Sequence, residues 1–264
     1  MHGRPGKRAG SRDWPTPPPA GRLAGLNWFV HPPADPATHL AWEEAALDAV
    51  DARETPACLW FWESARPFVV LGYGQQAARE ADLDACARDG VPVLRRCSGG
   101  GAVVQGPGCL NYGLALPIDP DGPTASIAAT NAWVMERQRG AIESLVGTRV
   151  ARRGDTDLAL GDRKFSGNAQ RRKRGALLFH GTLLVRFDLG SIARWLRFPS
   201  LQPGYRAGRS HLDFVANLGI EPAAVREVLA GAWNAMPSAA PDVSARIREL
   251  VAARYGDPAW HARR

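Results

Sequence analysis

Nothing in this 264-residue sequence is long and apolar enough to cross a bilayer, since a spanning helix needs about 18–20 consecutive apolar residues. That excludes a helical integral membrane protein, so no membrane partner is expected. The basic opening MHGRPGKRAGSRDW has no apolar stretch behind it; a secretory signal needs one, so a cytoplasmic protein is expected. Cysteine is scarce. Cys58, Cys86, Cys97 and Cys109 are irregularly spaced, matching neither a disulfide framework nor a CxxC metal site. Reduced thiols and no structural metal are expected. There is no GK[ST] after the glycine-rich stretch and no GxGxxG, which leaves out the two common nucleotide fingerprints. No helix-turn-helix or aromatic RNA-binding motif accompanies the net charge of +7, so nucleic acid is not an expected partner.

What is present is ordinary globular material, 45% apolar and 22% charged, enough to bury a sizeable core. The basic excess gathers in the opening residues (Arg4, Lys7, Arg8, Arg12) and in Arg171, Arg172, Lys173 and Arg174. Such a run is either a solvated face or a surface for an acidic partner. Residues 1–25 are rich in Gly, Arg and Pro and read as a flexible basic arm. Residues 26–264 read as one domain, without internal repeats or a second linker.

Within it, a strand is predicted near Leu26 to Val30. Asp35 and Pro36 offer a cap and a first-turn proline for a helix through HLAWEEAALDAVDA. CLWFWES and FVVLGY read as two strands joined by a turn at Ala65-Arg66-Pro67. A short helix from Ala81 to Asp89, strands at VPVLRR, AVVQ and LNYGLALP, and a long helix from Ser126 to Leu145 follow. TDLALG, KFSGNAQ and ALLFHGTLLV form a meander with polar turns, and the remainder is mainly helical. Many consecutive strands mixed with helices predict an α+β fold, with a mixed, largely antiparallel sheet flanked by helices.

Two stretches carry chemistry. In RRCSGGGAVVQGPGCLNYG (95–113), three glycines follow a strand and two arginines. This is either a tight turn between strands or a cradle whose backbone N–H groups meet an anion, with planar guanidinium donors beside it. In GDTDLALGDRKFSGNAQRRKRGALLFHGTLL (154–184), Lys164 lies inside a predicted strand near small residues. It is either an edge residue or a cation that faces the glycine loop and stabilises charge developing in acyl transfer. Asp155 and Asp157 are either caps or groups that hold Mg²⁺ or orient a ligand amine.

These segments, in this order and spacing, resemble the lipoate–protein ligase A family. HLAWEEAALDA, WFWESARPFVVLGYGQ and ARYGDPAW extend the resemblance over roughly residues 26 to 264. It implies the biotin/lipoate protein ligase-like catalytic domain, ATP and Mg²⁺ as cofactors, activation of lipoate to lipoyl-AMP, and transfer to a lysine of a lipoyl acceptor domain. By motif matching it implies Lys164 as the central lysine. Arg95, Ser98, Gly99, Gly100, Gly101 and Ala102 would line the acyl and phosphate site. Asn111 would lie on the nucleotide-side strand, and Asp157 near the nucleotide and its Mg²⁺. Ser166, Gly167, Ala169, His180, Gly181 and Thr182 would form the opposite wall. Trp42, Leu71, Val103 and Phe165 are candidates for an apolar slot.

The sequence also departs from the family. Gln105-Gly106 replaces the usual His-Asp, and Cys109 a usual Asn. A related branch, the octanoyltransferases, uses a cysteine near the lysine motif. None stands there, which leaves Cys97 and Cys109 as candidates for a transferase that draws octanoyl or lipoyl groups from a carrier protein. The small C-terminal accessory domain of the larger ligases is not recognisable, so a separate accessory chain is an expected partner. A non-catalytic lipoyl- or nucleotide-binding module is the remaining alternative.

Overall fold

The computed structural model describes residues 25–263; the arm expected at 1–25 lies outside them, Gly25 excepted. The strands are β1 (Asn27–Val30), β2 (Cys58–Trp62), β3 (Phe68–Leu71), β4 (Val93–Arg95), β5 (Val103–Gln105), β6 (Cys109–Pro117), β7 (Val150–Arg153), β8 (Asp157–Leu160), β9 (Arg163–Arg172), β10 (Ala176–Leu184) and β11 (Met236–Pro237). The helices are α1 (Pro36–Asp51), α2 (Ala77–Glu80), α3 (Leu83–Arg88), α4 (Ile127–Val146), α5 (Gly190–Trp195), α6 (His211–Phe214), α7 (Pro222–Ala232), α8 (Ser244–Leu250) and α9 (Pro258–Ala262).

Eight strands form one sheet in the order β11-β1-β2-β6-β10-β9-β8-β7; β4-β3-β5 form a second. Parallel pairing is confined to β1 with its two neighbours and to β3 with β4. The mixed, largely antiparallel α+β expectation holds. The centre of the large sheet is covered on both sides, so β2 is buried at every residue. One face packs on α4 and α7 through Trp133, Ile142, Leu229 and Trp233 against Phe61, Tyr112, Leu114 and Phe179. The other packs on α1 through Leu40, Trp42, Ala45 and Leu47 against Trp60, Trp62, Ala115 and Leu178. Burial of this apolar area, about 25 cal/mol per Å², drives the three layers together. A third apolar cluster joins the small sheet to α3 and α5 through Val69, Leu71, Cys86, Val104 and Trp195.

Local signals decide several boundaries. Asp35 accepts from the Ala37 and Thr38 amides at the start of α1, with Pro36 in the first turn. Ser126 caps α4, which ends on Gly147 at φ 66°. The two strands expected on either side of Arg66 both form and lie in different sheets, β2 in the large one and β3 in the small one, because β2 already has β1 and β6 as neighbours. The helix expected at 81–89 forms as α3 with Asp82 as its cap, accepting from the Ala85 amide, while Ala81 bridges to Leu196 and separates it from α2. The two sheet edges β7 and β11 escaped prediction, the latter only two residues long.

Candidate active site

A cavity of about 360 Å³ opens between the two sheets. The glycine loop between β4 and β5 forms one wall. Arg96 is buried beneath it and acts as its internal brace: Nε donates to Ser98 Oγ (2.9 Å), and Nη2 to the carbonyls of Gly99 (2.5 Å) and Gly101 (3.0 Å). Burial lowers its pKa to about 10, so it is still cationic at neutral pH. Gly100 has φ +91°, open to glycine but strained for other residues, and a Cβ there would meet Arg96 Nη2 at 2.9 Å. Across the loop, a Cβ on Gly72 would lie 2.0 Å from the Gly100 carbonyl oxygen. Glycine at 72 is therefore what lets β3 and the loop touch.

Beside the brace, Ser98 Oγ and His180 Nε2 lie 2.6 Å apart, and His180 Nδ1 is 2.8 Å from Glu43 Oε2. Trp62 Nε1 donates to the other Glu43 oxygen at 3.4 Å. All four side chains are buried. The chain of bonds joins the loop to β10, α1 and β2, and so fixes the loop against the large sheet.

The opposite wall comes from β8, β9 and β10. Lys164 Nζ pairs with Asp157 Oδ1 at 2.7 Å, and Tyr205 OH donates to Asp157 Oδ2 at 2.8 Å. A Cβ on Gly167 would come within 2.8 Å of Lys164 Nζ, so glycine leaves the lysine room to lie along its own strand. Register places Thr182 beside both Gly167 and Asn111. Thr182 Oγ1 donates to Asn111 Oδ1 (2.6 Å) and accepts from Gln105 Nε2 (2.7 Å). Asn168 accepts from Tyr112 OH at 2.6 Å.

Of the predicted residues, Lys164, Asp157, Gly100, Gly101, Ala102, Asn111, Ser166, Gly167, Ala169, His180, Gly181 and Thr182 line the cavity. Ser98 and Gly99 stand behind it, serving Arg96 and His180. Arg95 is a correction: it faces away from the cavity, and its guanidinium is bound by the carbonyls of Gly72, Tyr73, Gln75, Trp260, His261 and Arg263. It clasps the end of the described chain onto β3. Arg96 is the arginine on the cavity side. Val103 and Phe165 reach the cavity, together with Leu40, Trp62 and Val70, whereas Trp42 and Leu71 are core. Cys97 and Cys109 are also corrected. Both are buried away from the cavity, and burial raises both thiols, that of Cys97 to about 12. A thiol so raised stays protonated and makes a poor nucleophile. Among the described residues no group of three or more His, Cys, Asp or Glu could hold a metal ion.

Several lining residues went unpredicted, Glu43, Asn168, Arg197 and Arg206 among them. Glu43 had a legible signal, a carboxylate on the apolar face of α1. Asn168 lies inside a motif already singled out. Arg197 and Arg206 come from a segment without periodicity, and nothing local marks them.

The fold is that of the lipoate–protein ligases. A crystal structure of lipoate-protein ligase A bound with ATP superposes with a TM-score of 0.76 at 24% identity, covering 90% of this chain and 98% of the other. A bi-partite lipoate protein ligase from Thermoplasma acidophilum gives 0.75 at 23%, covering 91% and 97%. The family model of the lipoyl protein ligase A/B catalytic domain matches residues 35–228, and the chain belongs to that family. Lipoate-protein ligase A subunit 1 of Thermoplasma acidophilum is 29% identical over 201 residues, 74% of this chain and 76% of that protein. An octanoyltransferase of Moorella thermoacetica is 30% identical over 184 residues, 63% of this chain and 67% of that protein. The chain spans about half the length of several other curated relatives.

Proposed function

We propose that the chain is the catalytic subunit of an ATP-dependent lipoate–protein ligase. The observation that carries this reading is that one cavity joins an apolar slot to Lys164 beside a glycine loop. An eight-carbon acyl chain fits the slot of Leu40, Trp62, Val70 and Val103, which leaves its carboxylate at the polar end. There Lys164 stands between two anions. A carboxylate oxygen attacks the α-phosphorus of ATP, the bond to pyrophosphate breaks, and lipoyl-AMP forms. Lys164 Nζ offsets the charge that builds on the shared oxygens, in a site where a fixed donor contributes more than in water. Asp157 and Tyr205 hold that ammonium in place. In the second step the amine of an acceptor lysine attacks the acyl carbonyl and AMP leaves. The same cation serves both steps, and no side-chain nucleophile is needed.

Mg²⁺ commonly keeps several waters and takes one or two carboxylates plus substrate phosphates. Asp155 and Asp157 on the cavity wall fit that demand, and the ion would neutralise the leaving pyrophosphate. The acceptor is a lipoyl domain. A second chain completes the enzyme, as the subunit designation of the Thermoplasma relative and the bi-partite Thermoplasma ligase with its E2 lipoyl domain suggest. No described helix is long and apolar enough to cross a membrane, and the four cysteines are free thiols; both support a cytoplasmic site.

The octanoyltransferase relative supports a second reading, transfer from an acyl-carrier protein. It is the weaker one, because no described cysteine lines the cavity. One experiment separates them: mass spectrometry of an apo lipoyl domain incubated with lipoate and Mg²⁺-ATP, or with octanoyl-acyl-carrier protein and no ATP. A lipoyl adduct that depends on ATP is expected. An octanoyl adduct from the carrier alone would overturn the ligase reading. Failure of both, with success from synthetic lipoyl-AMP, would assign adenylation to the two-chain assembly.

A further inference from the structure

Arg206 ends the 3-10 turn Gly204–Arg206, is 4% exposed, and lines the active-site cavity. Its guanidinium carbon lies 4.9 Å from the ring centres of both Phe198 and Phe214. Nε donates to the Arg209 carbonyl at 3.0 Å, but Nη2 is fully buried without a partner. Among the described residues no carboxylate pairs with this cation. The neighbouring charge is another cation, Arg209, and together with burial it disfavours the protonated guanidinium. Three other cations in or beside the cavity wall are compensated. Arg96 rests on a hydroxyl and two carbonyls, Lys164 pairs with Asp157, and Arg209 itself pairs with Asp162 at 2.8 Å.

A buried charge without a partner is strongly unfavourable. Two aromatic faces recover part of that and hold the group in place, but they do not neutralise it. A cavity wall that keeps such a cation is complementary to an anion that arrives with the substrate. The position of the segment says which one. The adjacent Tyr205 hydroxyl bonds Asp157, Val215 bridges to Lys164, and the Ala216 amide donates to the Lys164 carbonyl at 2.9 Å. The segment is therefore fastened to the reacting end of the cavity, whereas the apolar slot is built by α1, β2, β3 and β5. Planar guanidinium donors suit phosphate oxygens.

We propose that Arg206 binds the β- and γ-phosphates of the nucleotide and holds the leaving pyrophosphate. The name of the substrate rests on the ligase reading; the site itself can be tested without it. The test is calorimetric titration of the full chain with inorganic pyrophosphate, comparing wild type with Arg206→Gln, Arg206→Lys and Arg194→Gln. Arg194 is an exposed arginine paired with Asp89 and controls for the change in net charge. At least a tenfold loss of affinity is expected for Arg206→Gln. Arg206→Lys should lose at least threefold, since it keeps the charge but not the fork, and Arg194→Gln should match wild type. Thermal melting is the second readout. Without ligand the midpoint of Arg206→Gln should stay within a few degrees of wild type, while the upward shift given by pyrophosphate should vanish. If Arg206→Gln does not fold, Arg206→Lys decides. Wild type that does not bind pyrophosphate, or Arg206 variants that bind it equally well, would overturn the assignment. Failure of the ligase reading would look different: pyrophosphate binding through Arg206 with no lipoylation from ATP.

Discussion

Arg95 and Arg96 are neighbours in the chain with opposite uses. Successive side chains leave a strand on opposite sides, so at the end of β4 one guanidinium turns to the chain terminus and the other to the glycine loop. The motif showed that arginine matters here but not which arginine meets the cavity. Lys164 is less ambiguous, because only one lysine stands in the KFSGNAQ strand. Lys164→Ala should lower lipoyl transfer by roughly 10²–10³-fold, the usual loss of a charge-stabilising donor. Circular dichroism should show an intact fold, since the side chain is partly exposed and pairs only with Asp157. Near-normal activity would remove Lys164 from the mechanism. His180 differs, because its removal strands the buried Glu43 carboxylate. His180→Leu should lose roughly 1–3 kcal/mol of stability, the cost of an unsatisfied buried group, read from urea denaturation.

At the scale of elements, close approach and burial set the constraints. β3 can touch the glycine loop only because residue 72 has no side chain. Gly72→Ala should displace the loop and destabilise the protein by about 1–3 kcal/mol, as overpacking does. Lipoate binding should weaken with it, and an unchanged midpoint in denaturant would contradict the contact. The start of α1 carries a second constraint. His39 is buried and stacks on Trp62, and the His31 ring lies 5.3 Å away. Burial, with His31 beside it, lowers His39 from 6.5 to about 4, and burial lowers His31 too. In the unfolded chain both titrate near 6.5, so below that pH the unfolded state takes up more protons. Stability should be complete above pH 6.5 and fall between pH 6.5 and 4, by on the order of 3 kcal/mol for His39. Denaturation at pH 7.5, 5.5 and 4.5 checks this, and a flat profile would contradict it. The strands of the meander and the long helices were legible because period and caps are local signals. The paths of β3 and of the 197–215 segment were not, because each depends on partners far away in sequence.

For the molecule as a whole, the net charge of +7 favours encounter with an acidic acceptor through steering. The run at 171–174 is not uniformly free surface. Arg172 donates to the Thr124 carbonyl, and Lys173 pairs with Asp48. The informative variant is therefore Arg171→Glu with Arg174→Glu, without Arg172. It should slow lipoyl transfer several-fold at low salt and much less at high salt, because mobile ions screen exposed charge. An equal effect at both salts would rule out steering.

The family, the mixed sheet, the glycine loop and Lys164 followed from the sequence by itself, because turn glycines, alternating strands and capped helices are encoded within a few residues of one another. Tertiary structure alone decided which arginine faces the cavity, that Cys97 and Cys109 are buried away from it, and that Glu43 and Arg206 line it. Those outcomes depend on which side chains from distant segments exclude water together. Burial, which sets both pairing and protonation, exists only once the layers have closed.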